Sequence, residues 1–208
     1  MLTALASLKR LQAGNLRYVR REQIITAYSS RRRLEAVAEE QFPFAVILGC
    51  SDSRVPSEIV FDQGLGDLFV IRVAGNIVAP TQIGSVEFAV ENFGTRLVVV
   101  LGHTHCGAVK ATVDTMMQPN ESHSQHVCSI VDRVRPVVEQ VMARNELTID
   151  LLNESIRANV RASVDQLLEK STVLSSYAAR GEISIVGAEY DIATGEVDFF
   201  HNLPELID

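Results

Sequence analysis

Two short strings, Cys50-Ser51-Asp52-Ser53-Arg54 and His103-Thr104-His105-Cys106, offer two thiols, an imidazole, a carboxylate and a guanidinium. Thiolate and imidazole are ligand types that hold zinc in tetrahedral sites, and a catalytic zinc keeps one corner free for water. Cys50, His103 and Cys106 supply three ligands and leave that corner open. Asp52 could act on whatever enters the corner or occupy it as a fourth ligand. A histidine three residues before a cysteine is a weak signal alone. Joined to Cys-x-Asp-x-Arg behind another buried-strand pattern, it points to a metal centre.

The elements around these strings explain how they could meet. Residues 44–49 and 96–102 are short apolar runs rich in β-branched side chains, the pattern of strands covered on both faces in a parallel sheet. In open α/β sheets, ligands gather beyond the carboxyl ends of the strands, where both strings fall. Further strands are expected over 67–73, 183–190 and 197–201, the last two joined by Ala193-Thr194-Gly195. Helices are expected over 81–92, 106–117, 127–144 with a kink at Pro136, and 149–179 with Gly181 as cap. Thr3 can cap a first helix carrying Leu5, Leu8 and Leu11 on one face; Gly14-Asn15 is expected to weaken or end it before it resumes towards Arg21. A second arm helix is expected from Ser29 or Ser30 to about Glu40, before Phe42-Pro43 breaks the pattern. The alternation predicts an α/β fold: a central, mainly parallel sheet flanked by helices, with an antiparallel edge strand and an N-terminal helical arm. We read a single domain, with residues 1–40 as the arm and 41–208 as the zinc-binding body.

A chain of 208 residues that is 47% hydrophobic can fill one sizeable core. No apolar stretch reaches the roughly 18 residues that suggest a membrane span. Three cysteines rule out a fully paired disulfide framework, and residues 1–12 lack the apolar middle of a signal peptide, so a cytoplasmic location is expected. Charge is uneven: residues 1–33 hold eight bases against one acid, and the remainder holds 11 against 25. The basic arm lacks interleaved aromatics and any nucleic-acid motif. We read it as docking on the acidic body of its own or a partner subunit, and expect neither nucleic acid nor membrane as a partner.

On CSDSRV, the Gly64-Leu65-Gly66-Asp67 turn, Arg72, Gly75-Asn76, GHTHCGA and Tyr190-Asp191, the chain resembles the β-class carbonic anhydrase family, closely over about residues 40–112. The resemblance implies zinc (Zn2+) on Cys50, His103 and Cys106, an Asp52–Arg54 catalytic dyad, and reversible hydration of carbon dioxide to bicarbonate and a proton. It implies a homodimer or homotetramer with N-terminal helices packed across subunits. Substrate contacts would come from Gln41 of the partner subunit, Phe69, Phe88 (where the family often has tyrosine) and Gly107, a position expected to admit close backbone approach. Gly49, Arg72 and Tyr190 match a non-catalytic bicarbonate site of members whose aspartate closes onto zinc. Those members commonly have tryptophan where this chain has Leu48, and Gln41 matches the open subgroup. Asp52 is therefore expected off the metal at neutral pH. Relatives that hydrolyse carbonyl sulfide or carbon disulfide share the same site, and a non-catalytic bicarbonate-sensing or zinc-binding relative is a third reading. Intact Gln41, Asp52 and Arg54 speak against silence.

Physical chemistry gives these residues separate tasks. Two thiolates donate more charge than neutral imidazoles and weaken the metal as a Lewis acid, which a fixed cation at Arg54 would partly offset. An ionised Asp52 only accepts hydrogen bonds, so it can orient a nucleophile by holding its proton. His105 is a candidate proton shuttle, or else an exposed turn residue. Glu87 reads either as a buried acid behind the site or as an exposed helix residue. Cys128 reads as a small buried hydrophobe, His123 and His126 as loop residues, and His201 as the end of an edge strand. Gly64-x-Gly66 precedes a strand rather than a helix, so it is no dinucleotide fingerprint.

Overall fold

Four parallel strands, β1 (Ala45–Gly49), β2 (Leu68–Arg72), β3 (Leu97–His103) and β4 (Ser184–Tyr190), are closed by an antiparallel β5 (Val197–His201) in the order β2-β1-β3-β4-β5. The computed structural model describes residues 1–24, 41–118, 123–144 and 150–204; the arm helix expected to run to Glu40 lies outside them. The central places of β1 and β3 follow from their sequences. AVILG and LVVVLGH present no exposed residue, as strands covered on both faces require.

Helices α1 (Ala4–Arg20), α2 (Ser57–Val60), α3 (Pro80–Phe93), α4 (Gly107–Met117), α5 (Gln125–Arg144), α6 (Leu151–Lys170) and α7 (Thr172–Ala179) cover the sheet. Alternation along the strands sorts the core into layers. Val46, Leu48, Val98, Val100 and Ile185 pack with Val86 and Val90 of α3 and with Val160, Val164 and Leu167 of α6. Ala45, Ile47, Val99, Leu101 and Ala188 pack with Leu8 and Leu11 of α1 and with Val60 and Phe61. Among the described residues, no helix is long and apolar enough to cross a membrane.

Helix α1 corrects one expectation: it runs unbroken through Gly14-Asn15. Gly14 is there for proximity, because a Cβ would lie 1.8 Å from the Phe61 carbonyl oxygen. Asn15 uses that closeness: its amide donates to the Val60 and Gly195 carbonyls at 3.2 and 2.8 Å, and its oxygen accepts from the Val197 N–H at 2.9 Å. Arg10 and Arg17 reach Asp67 and Asp62 at 3.0 and 2.6 Å, so this part of the basic arm docks on its own chain. Gly14→Ala is expected to destabilise the protein by about 2 kcal/mol, overpacking outweighing the gain in helix propensity. An unchanged urea midpoint would contradict this packing.

The single helix expected over 149–179 is two. Helix α6 ends at Lys170, and the buried Ser171 takes an extended conformation. Its hydroxyl accepts from the Leu174 N–H at 3.0 Å, capping α7, and donates to Glu87 Oε1 at 2.6 Å.

Candidate metal centre

The parallel register of β1 and β3 places their carboxyl ends side by side, with Gly49 opposite Leu101. Cys50 follows β1, His103 ends β3, and Cys106 is the residue from which α4 starts. The turn between the last two is pinned: Thr104 N–H donates to the Tyr190 carbonyl at 3.0 Å, and Thr104 Oγ1 accepts from Ile192 N–H at 3.1 Å. The ligand atoms of Cys50, His103 and Cys106 all lie within 4.8 Å of one another, and all three residues are buried.

The histidine is oriented for coordination. Its Nδ1 lies 2.9 Å from the Thr104 carbonyl oxygen, which can only accept, so Nδ1 carries the proton and Nε2 presents a lone pair. That Nε2 is buried with no hydrogen-bond partner among the described residues. A buried polar atom left unpaired costs about 1–3 kcal/mol, and a dication between these three atoms would satisfy it. The donor set is one that zinc prefers, so the residues fit a bound zinc.

The two thiols are already electrostatically divided. A hydrogen bond from Cys106 pulls Cys50 down to about 4 against the cost of burial, with help from His103 and from the Gly75 N–H, 3.3 Å from the sulfur. The same bond, together with burial, pushes Cys106 up. A metal takes cysteine as thiolate, so a dication bound between these sulfurs would displace their protons. For His103, burial opposes the cation, but the Cys50 sulfur, the Thr104 carbonyl and Asp52 outweigh it and raise its pKa, so a dication would compete with a proton for the Nε2 lone pair.

Asp52 stands beside the ligand triad in the grip of Arg54. The guanidinium donates from Nε to Oδ1 at 2.9 Å and from Nη2 to Oδ2 at 2.7 Å, and the Arg54 backbone N–H adds a bond to Oδ1 at 3.0 Å. This fork keeps the carboxyl well below the usual carboxylate range despite the opposing effect of burial, so it is ionised at neutral pH. Its Oδ2 is 4.0 Å from His103 Nε2. The Arg54 side chain is half exposed, so the pair contributes little stability; what it fixes is orientation.

The remaining candidates divide. Arg72 clamps the Cys50–Asp52 segment through its backbone, donating to the Cys50 carbonyl at 3.0 Å and the Asp52 carbonyl at 2.6 Å. It pairs in register with Gly49, but Tyr190 stands on β4, three strand spacings or about 14 Å across the sheet. The Tyr190 hydroxyl is 3.2 Å from that of Tyr18. Phe69 and Phe88 come together with Phe93, at centroid distances of 5.5–6.4 Å, and Phe88 is 51% exposed. Gln41 is exposed just ahead of β1, and exposed His105 adopts a left-handed φ of 57° beside the ligands.

A Cβ on Gly107 would meet nothing within 4 Å, so no neighbour among the described residues requires a glycine there. Two readings need correction. Glu87 accepts from the Ser171 hydroxyl and has no hydrogen bond to the triad among the described residues. Cys128 is half-buried, and its S–H donates to the His123 carbonyl at 3.7 Å. The sequence reading also missed the Gly75 N–H on Cys50 and the α6 side chains behind it. A polar residue every fourth position, Ser155, Asn159 and Ser163, was the available signal.

The carbonic anhydrase family model matches residues 45–197. A carbonic anhydrase of Mycolicibacterium smegmatis is 38% identical over 201 residues, spanning 97% of this chain and 95% of its own. The Coccomyxa β-carbonic anhydrase, solved in complex with acetazolamide, superposes with a TM-score of 0.72 at 27% identity, over 82% of this chain and 78% of that one. A tetrameric β-carbonic anhydrase of Sordaria macrospora shares the fold with a TM-score of 0.70 at 22% identity, over 82% and 87% of the two chains.

Proposed function

The chain belongs to the β-carbonic anhydrase family, and from that premise we propose that it hydrates carbon dioxide reversibly to bicarbonate and a proton, using zinc held by Cys50, His103 and Cys106. The observation that carries the reading is the buried His103 Nε2, without a hydrogen-bond partner among the described residues, grouped with two cysteine sulfurs beside an aspartate fixed by arginine. Zinc bound there would supply the Lewis acidity that makes water a nucleophile near neutral pH.

The chain's own residues do the rest. Asp52 Oδ2, ionised and acceptor-only, takes a hydrogen bond from the attacking water and so directs its lone pair at the carbon. Arg54 keeps both Asp52 oxygens occupied and thereby keeps the carboxylate off the metal. Phe69 and Phe88 give an uncharged substrate an apolar wall. Gln41 and Phe88 are exposed on the single chain, which suits a homodimer or homotetramer in which Gln41 of one subunit donates to a substrate oxygen in the site of the next. His105, exposed two positions from a ligand, is placed to pass the released proton to buffer. We place the enzyme in the cytoplasm, where its thiols stay reduced.

Stopped-flow hydration from about pH 6 to about pH 9, with zinc quantified and carbonyl sulfide offered in parallel, tests the assignment. Fast carbon dioxide hydration at stoichiometric zinc is expected. A fully loaded protein inactive at the alkaline end, or one that prefers carbonyl sulfide, would overturn it.

A further inference from the structure

Helix α6 carries three polar residues four positions apart, Ser155, Asn159 and Ser163, each no more than 3% exposed. They interrupt a buried face made by Ile156, Val160, Val164 and Leu167. Buried polar groups persist where they find partners, and two of these three do. Asn159 Nδ2 donates to the Gly75 carbonyl at 2.8 Å, and Ser163 Oγ donates to the Asn76 carbonyl at 3.2 Å. Ser155 Oγ has no partner among the described residues.

The two accepting carbonyls belong to a tight turn, Ala74–Asn76, with two successive left-handed residues: φ is 72° at Gly75 and 43° at Asn76. Such backbone is held only where its surroundings over-determine it. Gly75 is required twice over, by its positive φ and by an Ala108 Cβ that would lie 3.1 Å from its own. The conformation aims the Gly75 N–H at Cys50 Sγ, 3.3 Å away. Gly75 is thus tied at its carbonyl to α6 and at its N–H to a ligand sulfur, the two groups lying on the successive peptides that flank its Cα.

We propose that Asn159 is a positioning residue for the Cys50 thiolate: by holding the Gly75 carbonyl it fixes the left-handed conformation of that residue and so keeps the Gly75 N–H on the sulfur; this rests on the zinc reading above. An N–H bond to a ligating thiolate draws charge from the sulfur and returns Lewis acidity to the metal. In a site with two thiolates, that correction acts in the direction the chemistry needs. Ser163 steadies the next peptide of the same turn.

The test uses the full-length protein loaded with cadmium-113 or cobalt(II) in place of zinc. Wild type is expected to show scalar coupling between cadmium and the Gly75 amide proton. Asn159→Ala is expected to lose that coupling, to move the sulfur-to-cobalt charge-transfer band to longer wavelength, and to bind zinc about tenfold more weakly. Ser155→Ala, on the same helix face without a bonded partner, should match wild type in all three. Should Asn159→Ala fail to fold, Ser163→Ala replaces it and should shift the band the same way by less. A loaded wild type without the Gly75 coupling, or a Ser155→Ala shift equal to that of Asn159→Ala, overturns the inference alone. A wild type that binds none of the three metals overturns the zinc reading, and this inference with it.

Discussion

Asp52→Asn is expected to lower kcat/KM for carbon dioxide hydration by about 10²-fold or more while zinc content stays stoichiometric. Asparagine keeps the shape but replaces one acceptor oxygen by a donor. The Arg54 fork, which needs acceptors at both 2.9 and 2.7 Å contacts, then meets an N–H on one side. The negative charge 4.0 Å from His103 Nε2 is also lost. Because no ligand to the metal is removed, binding should survive while orientation fails. Arg54→Lys should show a milder form of the same defect, since an ammonium cannot grip both oxygens at once. Steady-state hydration with metal analysis on the same samples decides the matter. Wild-type kcat/KM in Asp52→Asn would remove Asp52 from the mechanism.

Cys106→Ala should abolish stoichiometric zinc binding and lower activity by about 10³-fold or more. It should also erase a stability increment that only the metal supplies. Free zinc at a thousandfold its dissociation constant adds about 4 kcal/mol to the native state, roughly 10 °C for a chain of this size. Thermal midpoints with and without zinc should therefore differ in wild type and coincide in the variant. Coincident midpoints in wild type would contradict a metal held by this triad. The variant also strips Cys50 of the S–H that holds it near 4, so its thiol should return towards the ordinary range.

The parts of this molecule that could be read from sequence are those written in local pattern. The runs around β1 and β3 announced strands covered on both faces, and both ligand strings sit where those strands end. The antiparallel β5 was bounded correctly because a turn precedes it. What escaped depends on contacts between distant segments. Gly14 looks like a helix breaker in sequence, yet it exists to let Phe61 approach. The break at Ser171 is invisible in apolar periodicity because its partner, Glu87, lies 84 residues away. The support behind Cys50 escaped for the same reason, since Asn159 is also 84 residues from the peptide it holds. Phe88, expected as a substrate contact, is exposed on the single chain, which its residue type does not announce.

X-ray absorption at the zinc edge of the purified, reduced protein tests the central claim most directly. Two sulfurs at about 2.3 Å with nitrogen or oxygen ligands at about 2.0 Å are expected. A shell without sulfur, or a protein that takes up no zinc, would contradict the account.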